Sequence, residues 1–208
     1  MLFRSCEKCG VEVIQSRVRR ERMGHINLVS PVCHIWFLKG IPSYLSLITG
    51  MTVRDLERVI YFDSYIVINQ GNSPYPQKYL LSSQEHEDHV RNNPEDIVFK
   101  AGMGAEAVRS LLASIDLNFE VRKIQEEFEQ TTSVAMRHRL AKRYKVLLNL
   151  VQANIRPEWT ILEVLPVLPP DLRPLVPLEG GRFASSDLND LYRRVLNKIG
   201  RASCRERV

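Results

Sequence analysis

No apolar run in this 208-residue chain approaches the roughly 20 residues that a bilayer-spanning helix requires; the longest, such as Cys33-His34-Ile35-Trp36-Phe37-Leu38, fall far short. Met1 to Ser5 leads into no signal-type apolar region, so a cytoplasmic protein with no membrane partner is expected. Cysteine is scarce. Cys6, Cys9, Cys33 and Cys204 are unevenly spaced, which argues against a disulfide framework and suits a reducing compartment. Also missing are a nucleophile elbow, a Walker loop, a dinucleotide-binding glycine motif and an aspartate triad spaced for magnesium. The histidines, His25, His34, His86, His89 and His138, fall into no His-Glu-x-x-His pattern. No catalytic residue is assigned within the chain.

What is present is an ordinary globular composition. Hydrophobic residues make up 44% and charged residues 25%. These values sit near the averages of folded domains and exclude disorder, collagen and continuous coiled coil. The length allows one large domain or two small ones. A net charge of +5 suggests a polyanionic partner, because Lys and Arg supply the sequence-independent part of phosphate binding. The two ends carry much of that charge. Residues 199–208 read like a translated sequencing adapter and residues 2–5 like the same adapter entered from its other side. Residues 1–5 and 199–208 are therefore expected to be a foreign head and tail. The tail holds three Arg and one Glu and the head holds Arg4, so without them +5 falls to +2. The basic signal then becomes local.

Val11 and Val13 alternate with polar neighbours as half-buried strands do. Residues 26–38, interrupted by Pro31, predict short strands. Thr52-Val53-Arg54-Asp55 predicts a capped helix reaching about Arg58, with strands at residues 59–62 and 65–68. Residues 69–77 and 82–94 are polar and rich in turn formers, so they read as loop with one short helix and as the best domain boundary. From Gly104 the period turns helical. Leu117, Val121, Ile124 and Phe128 follow Asp116 as N-cap, and Leu140, Tyr144, Leu147, Leu148 and Val151 form a second apolar face before Asn154 and Pro157. This helical hairpin is a packing or spacer element or, less simply, a binding surface. Beyond Trp159, Pro166, Pro169, Pro170, Pro174 and Pro177 impose a stiff strand-and-loop path. Gly180-Gly181-Arg182-Phe183 then makes a flexible tip, and Ser186 precedes a helix with Asp187 and Asp190 in its first turn and Arg193 and Arg194 later.

Cys6-x-x-Cys9-Gly10 can hold two corners of a tetrahedral zinc site, since both thiolates face one ion across a tight turn. A redox pair and two ordinary thiols are the alternatives. Cys33 with His25 or His34 offers further ligands at no common spacing, and Cys33 alone reads as a small buried residue. Arg17, Arg19 and Arg20 with Arg22 form either a phosphate-binding edge or a solvated one. Arg182 and Phe183 can meet nucleic acid, the first through its guanidinium and the second by stacking. The other reading makes Phe183 a core plug and pairs Arg182 with Glu179 or Asp187.

Residues 6–13 (CEKCGVEV), 19–26 (RRERMGHI), 34–39 (HIWFLK) and above all 166–194 (PVLPPDLRPLVPLEGGRFASSDLNDLYRR) closely resemble the amino-terminal region of the β′ subunit of bacterial DNA-directed RNA polymerase. The likeness spans Cys6 to Lys198. It implies an α+β fold with a partial zinc-ribbon-like segment (6–30) and a small mixed α/β clamp region (31–103). A helical hairpin (104–156), a strand with the Pro-rich lid loop (157–186) and the start of the clamp coiled coil (187–198) follow. The resemblance makes Cys6 and Cys9 half of a zinc site whose other ligands lie upstream, and leaves the Mg2+ ligands of the full enzyme far downstream. It puts Arg182 and Phe183 at the working end of the lid and turns Asp187, Arg193 and Arg194 toward sigma factor. The implied partners are the beta, alpha and omega subunits, sigma, template DNA and nascent RNA, in a nucleoid-associated enzyme. The alternative is a stand-alone zinc-ribbon nucleic-acid-binding or scaffold protein without enzymatic activity.

Overall fold

The computed structural model describes residues 14–93, 96–198 and 200–201. Among them the chain forms α1 (Val18–Glu21), β1 (Gly24–Cys33), α2 (Ile35–Leu38), α3 (Tyr44–Thr49), α4 (Val53–Ile60), β2 (Tyr65–Asn69), β3 (Leu80–Leu81) and α5 (Ser83–Asn92). These are followed by β4 (Lys100–Gly102), α6 (Gly104–Ala113), α7 (Leu117–Gln130), α8 (Val134–Gln152), β5 (Ile161–Val167), β6 (Leu175–Pro177), β7 (Phe183–Ser185), α9 (Asp187–Lys198) and β8 (Gly200–Arg201). The mixture of helices with small separate sheets is α+β. Two compact units result. One comprises Met1–Ser30 with Glu163–Val208, and the other is Pro31–Leu162, so the division does not fall at residues 69–94.

The second unit holds the main core. Its sheet runs β3-β2-β4, with both pairings antiparallel. Helix α7 starts where predicted because Asp116 Oδ1 accepts from the amides of Asn118 (2.9 Å) and Phe119 (3.3 Å). Its Ile124 and the Leu147 of α8 are fully buried with Leu45, Ile48, Leu56, Val108, Leu111 and Leu112, so the helical hairpin is built on a shared apolar seam. Helix α4 is capped by Thr52 as expected but runs on through Ile60. Val59 is fully buried on that helix, and this burial outweighs the strand preference of Val59-Ile60. The polar segment 82–94 contains a ten-residue helix with a complete capping box between Ser82 and Glu85. Before it, residues 24–33 make one continuous strand in place of several short ones. Pro31 lies beyond Asn27 and Leu28, the residues that face β8, so its missing N–H costs no bond to that strand.

In the first unit the sheet order is β5-β1-β8, and Ile26 is the buried side chain of β1 there. Gly200 and Arg201, expected from the sequence to belong to a foreign tail, pair with Leu28 and Asn27. A tight turn at Pro170–Leu172 and the β6–β7 ribbon lead into α9, following the strand-and-loop path that the prolines dictate.

Candidate nucleic-acid interface

The ribbon of the first unit is built by its punctuation. Pro174 and Pro177 hold the incoming strand extended. Gly180 (φ 81°) and Gly181 (φ 73°) then reverse the chain through a left-handed conformation that other residues adopt only at a cost. β6 and β7 pair antiparallel with Leu175, Val176 and Pro177 opposite Ser185, Ala184 and Phe183, and the turn is closed by the Leu178 N–H donating to the Arg182 carbonyl at 2.7 Å. All six strand residues are exposed. A Cβ placed on Gly180 or Gly181 would meet nothing within 4 Å.

At the tip Phe183 is 68% exposed, which disposes of the core-plug reading for that ring. Arg182 is exposed and, among the described residues, makes no ion pair with Glu179 or Asp187. An exposed guanidinium, without an ion-pair partner among the described residues, and an exposed aromatic face therefore stand together at the end of an apolar arm. That pairing can grip a phosphate and stack on a base.

The arm stands on a polar joint that the sequence does not announce. Arg173, Asn189 and Tyr192 come together beneath it, with Asn189 Oδ1 accepting from Arg173 Nη1 at 2.8 Å. On another face of α9, Asp190 pairs with Arg193 and with Arg194 (2.7 Å). The Arg193 guanidinium, joined by that of Arg194, holds the Asp190 carboxyl below the ordinary carboxylate range. Asp187 is exposed beside them. Of the amino-terminal arginines, Arg19 is engaged by Asp171 at 3.0 Å and Arg17 lies 4.0 Å from Glu21. Arg20 is exposed. The cluster is thus divided between a contact within the fold at Arg19 and exposed side chains at Arg17 and Arg20.

Cys6 and Cys9 lie outside the described residues, as does Cys204. Among the described residues no group of three or more His, Cys, Asp or Glu is placed to hold a metal ion. Cys33 is half-buried, and burial pushes its thiol up to about 11. Its Sγ donates to the His34 carbonyl (3.7 Å), and His34 Nδ1 accepts the Trp36 amide at the start of α2 (3.1 Å). Cys33 is a neutral packing residue and His34 is a helix cap. No described helix is long and apolar enough to cross a membrane.

Residues 3–201 match the family described as RNA polymerase Rpb1, domain 1. The chain is 55% identical over 196 residues to the DNA-directed RNA polymerase subunit beta′ of Thermodesulfovibrio yellowstonii, and 58% identical over the same length to that of Methylacidiphilum infernorum. The subunit from Acinetobacter baylyi is 55% identical. In each case 94% of this chain is covered but only 14% of the relative, so the chain spans about one-seventh of their length.

Proposed function

The chain belongs to the RNA polymerase Rpb1, domain 1 family, and on that premise we propose that it is the amino-terminal clamp part of the β′ subunit of a DNA-directed RNA polymerase, which copies DNA into RNA from ribonucleoside triphosphates. The reaction is nucleotidyl transfer by the assembled enzyme, cytoplasmic and at the nucleoid, with beta, alpha, omega and sigma as protein partners. This chain contributes no catalytic side chain. Its work is to shape the path of template and transcript. Along the chain the segments are zinc-binding (6–30), mixed clamp (31–103), helical hairpin (104–156), strand and lid (157–186) and coiled-coil start (187–198).

One observation carries the reading: Arg182 and the 68%-exposed Phe183 share the tip of a ribbon whose strands bury none of their residues. An arm of that kind suits a wedge between two nucleic-acid strands, with Arg182 on a phosphate and Phe183 on the terminal base pair. Arg17 and Arg20 add a peripheral phosphate contact, while Arg19 serves Asp171 first. Asp187, Arg193 and Arg194 on α9 face sigma. Cys6 and Cys9 would give a structural zinc two of its four thiolates, and that ion would fix the amino-terminal segment. Mg2+ held elsewhere in the subunit supplies the charge stabilisation for phosphoryl-type transfer. A stand-alone zinc-ribbon binder is disfavoured, because the family likeness runs through residues 3–201 and is not confined to the cysteine pair.

The test uses the assembled polymerase carrying Arg182→Ala with Phe183→Ala. Single-nucleotide addition should stay intact and the RNA–DNA hybrid should lengthen, with RNA retained on single-stranded templates. Normal displacement of the transcript would remove the lid assignment.

A further inference from the structure

Two three-residue strands do not hold themselves upright, since an isolated two-stranded ribbon is marginal in water, and β6 and β7 bury no residue of their own. The support comes from below. Asn189, in the first turn of α9, donates from Nδ2 to the Arg173 carbonyl (3.0 Å), just ahead of β6, and to Ser185 Oγ (3.1 Å), the last residue of β7. Its Oδ1 meanwhile accepts from Arg173 Nη1 at 2.8 Å. The same guanidinium donates from Nε to the Leu168 carbonyl (2.9 Å) and lies 5.8 Å from the centre of the Tyr192 ring. The Tyr192 hydroxyl donates to the Pro166 carbonyl and accepts the Leu168 N–H, both at 3.3 Å.

We infer that Arg173, Asn189 and Tyr192 are positioning residues that lock the ribbon to α9 at one angle and so fix the height at which Arg182 and Phe183 are presented. The residue types fit the task. Only an amide offers two donors and an acceptor from one short side chain, which lets Asn189 hold both legs of the ribbon at once. Arg173 spans two partners through a rigid fork that lysine lacks. A tyrosine hydroxyl gives and takes one bond each, tying α9 to the chain leaving β5. The functional consequence rests on the lid reading of the tip, whereas the joint stands on its own geometry.

Asn189→Ala tests the joint in two settings. In the full chain, hydrogen exchange at the Leu178 amide should quicken about tenfold, the factor that corresponds to roughly 1.4 kcal/mol, while the core amides of Leu111 and Leu147 stay protected. In the assembled polymerase the variant should reproduce the displacement defect of Arg182→Ala with Phe183→Ala at an unchanged addition rate. If the tip variant is defective and Asn189→Ala is not, the positioning role is overturned and the lid reading survives. If the tip variant displaces RNA normally, the lid reading falls and the exchange result alone judges the joint. Unchanged exchange at Leu178 refutes the joint. Tyr192→Phe keeps the ring and removes only the two hydroxyl bonds, so the same two measurements on it decide the matter should Asn189→Ala fail to fold.

Discussion

Replacing Glu120 should cost the second unit more stability than the loss of one partly exposed carboxylate would suggest. Its Oε2 lies 2.7 Å from Arg143 Nη2, with the two side chains only 15% and 17% exposed, and Arg143 Nε donates to the Leu47 carbonyl at 2.9 Å. One arginine on α8 thereby ties α3 to α7. Lys78 sits half-buried nearby, where burial lowers the pKa of its ammonium and the charge of Glu120 works against that lowering. Glu120→Ala would leave two cations facing each other with their anion gone. Breaking one side of a fully buried pair costs about 3–5 kcal/mol, and the residual exposure of this pair brings the expectation to roughly 2–3 kcal/mol. Arg143→Ala forfeits two charge-assisted bonds, together up to about 3–6 kcal/mol, offset only in part because Lys78 still feels the Glu120 charge. Its cost should therefore match or exceed that of Glu120→Ala. The double variant should show a coupling of about 1–2 kcal/mol. Urea unfolding followed by far-UV circular dichroism measures all three. Trp36 and Trp159 are 77% and 60% exposed and make poor fluorescence reporters. A Glu120→Ala cost below about 0.5 kcal/mol, the ordinary scatter of surface changes, would show that the three groups are not coupled as described. So would an Arg143→Ala cost clearly below that of Glu120→Ala.

Two further outcomes are expected in the same unit. Gly104→Ala should lower stability by about 1–3 kcal/mol, because Gly104 has φ 80° and an added Cβ would stand 2.6 Å from the Phe62 ring; an unchanged urea midpoint would contradict this. Cys33, with its thiol pushed up to about 11 by burial, should resist alkylation at pH 8.5 in the folded chain. The folded state keeps its proton after the unfolded thiol has lost it, so stability is fully present below pH 9 and declines as pH rises from 9 to 11. Peptide mapping after alkylation, and the loss of that pH slope in Cys33→Ala, check both statements.

The elements that the sequence discloses are those governed by local rules. Asp116 followed by Leu117, Val121, Ile124 and Phe128 announces α7, because cap and apolar period agree. Residues 59–60 mislead, since their branched side chains favour strand while the core claims them for α4. Helix α5 goes undervalued in so polar a segment, although Ser82-x-x-Glu85 is a complete start signal; among its residues only His89 is buried. At the candidate interface, Gly180-Gly181 makes the tip legible in the sequence. The joint does not show itself, because Asn189 meets Arg173 across 16 positions and Tyr192 meets Pro166 across 26. No periodicity links such partners.

The division of the chain also sets an order of events during synthesis. The first unit is drawn from residues on both sides of the second, which is contiguous from Pro31 to Leu162. A ribosome therefore finishes the second unit while the first is still half made. At about 5–20 residues per second, the wait between Glu163 and the arrival of Gly200–Arg201 is roughly 2–8 s. Through most of that interval β5 has already been made, while the edge of β1 that pairs with β8, at Asn27 and Leu28, still has no partner strand. A chain ended after Leu162 and released would carry the whole second unit together with a β1 that lacks β8 and most of β5, an open edge of the kind that pairs with another chain.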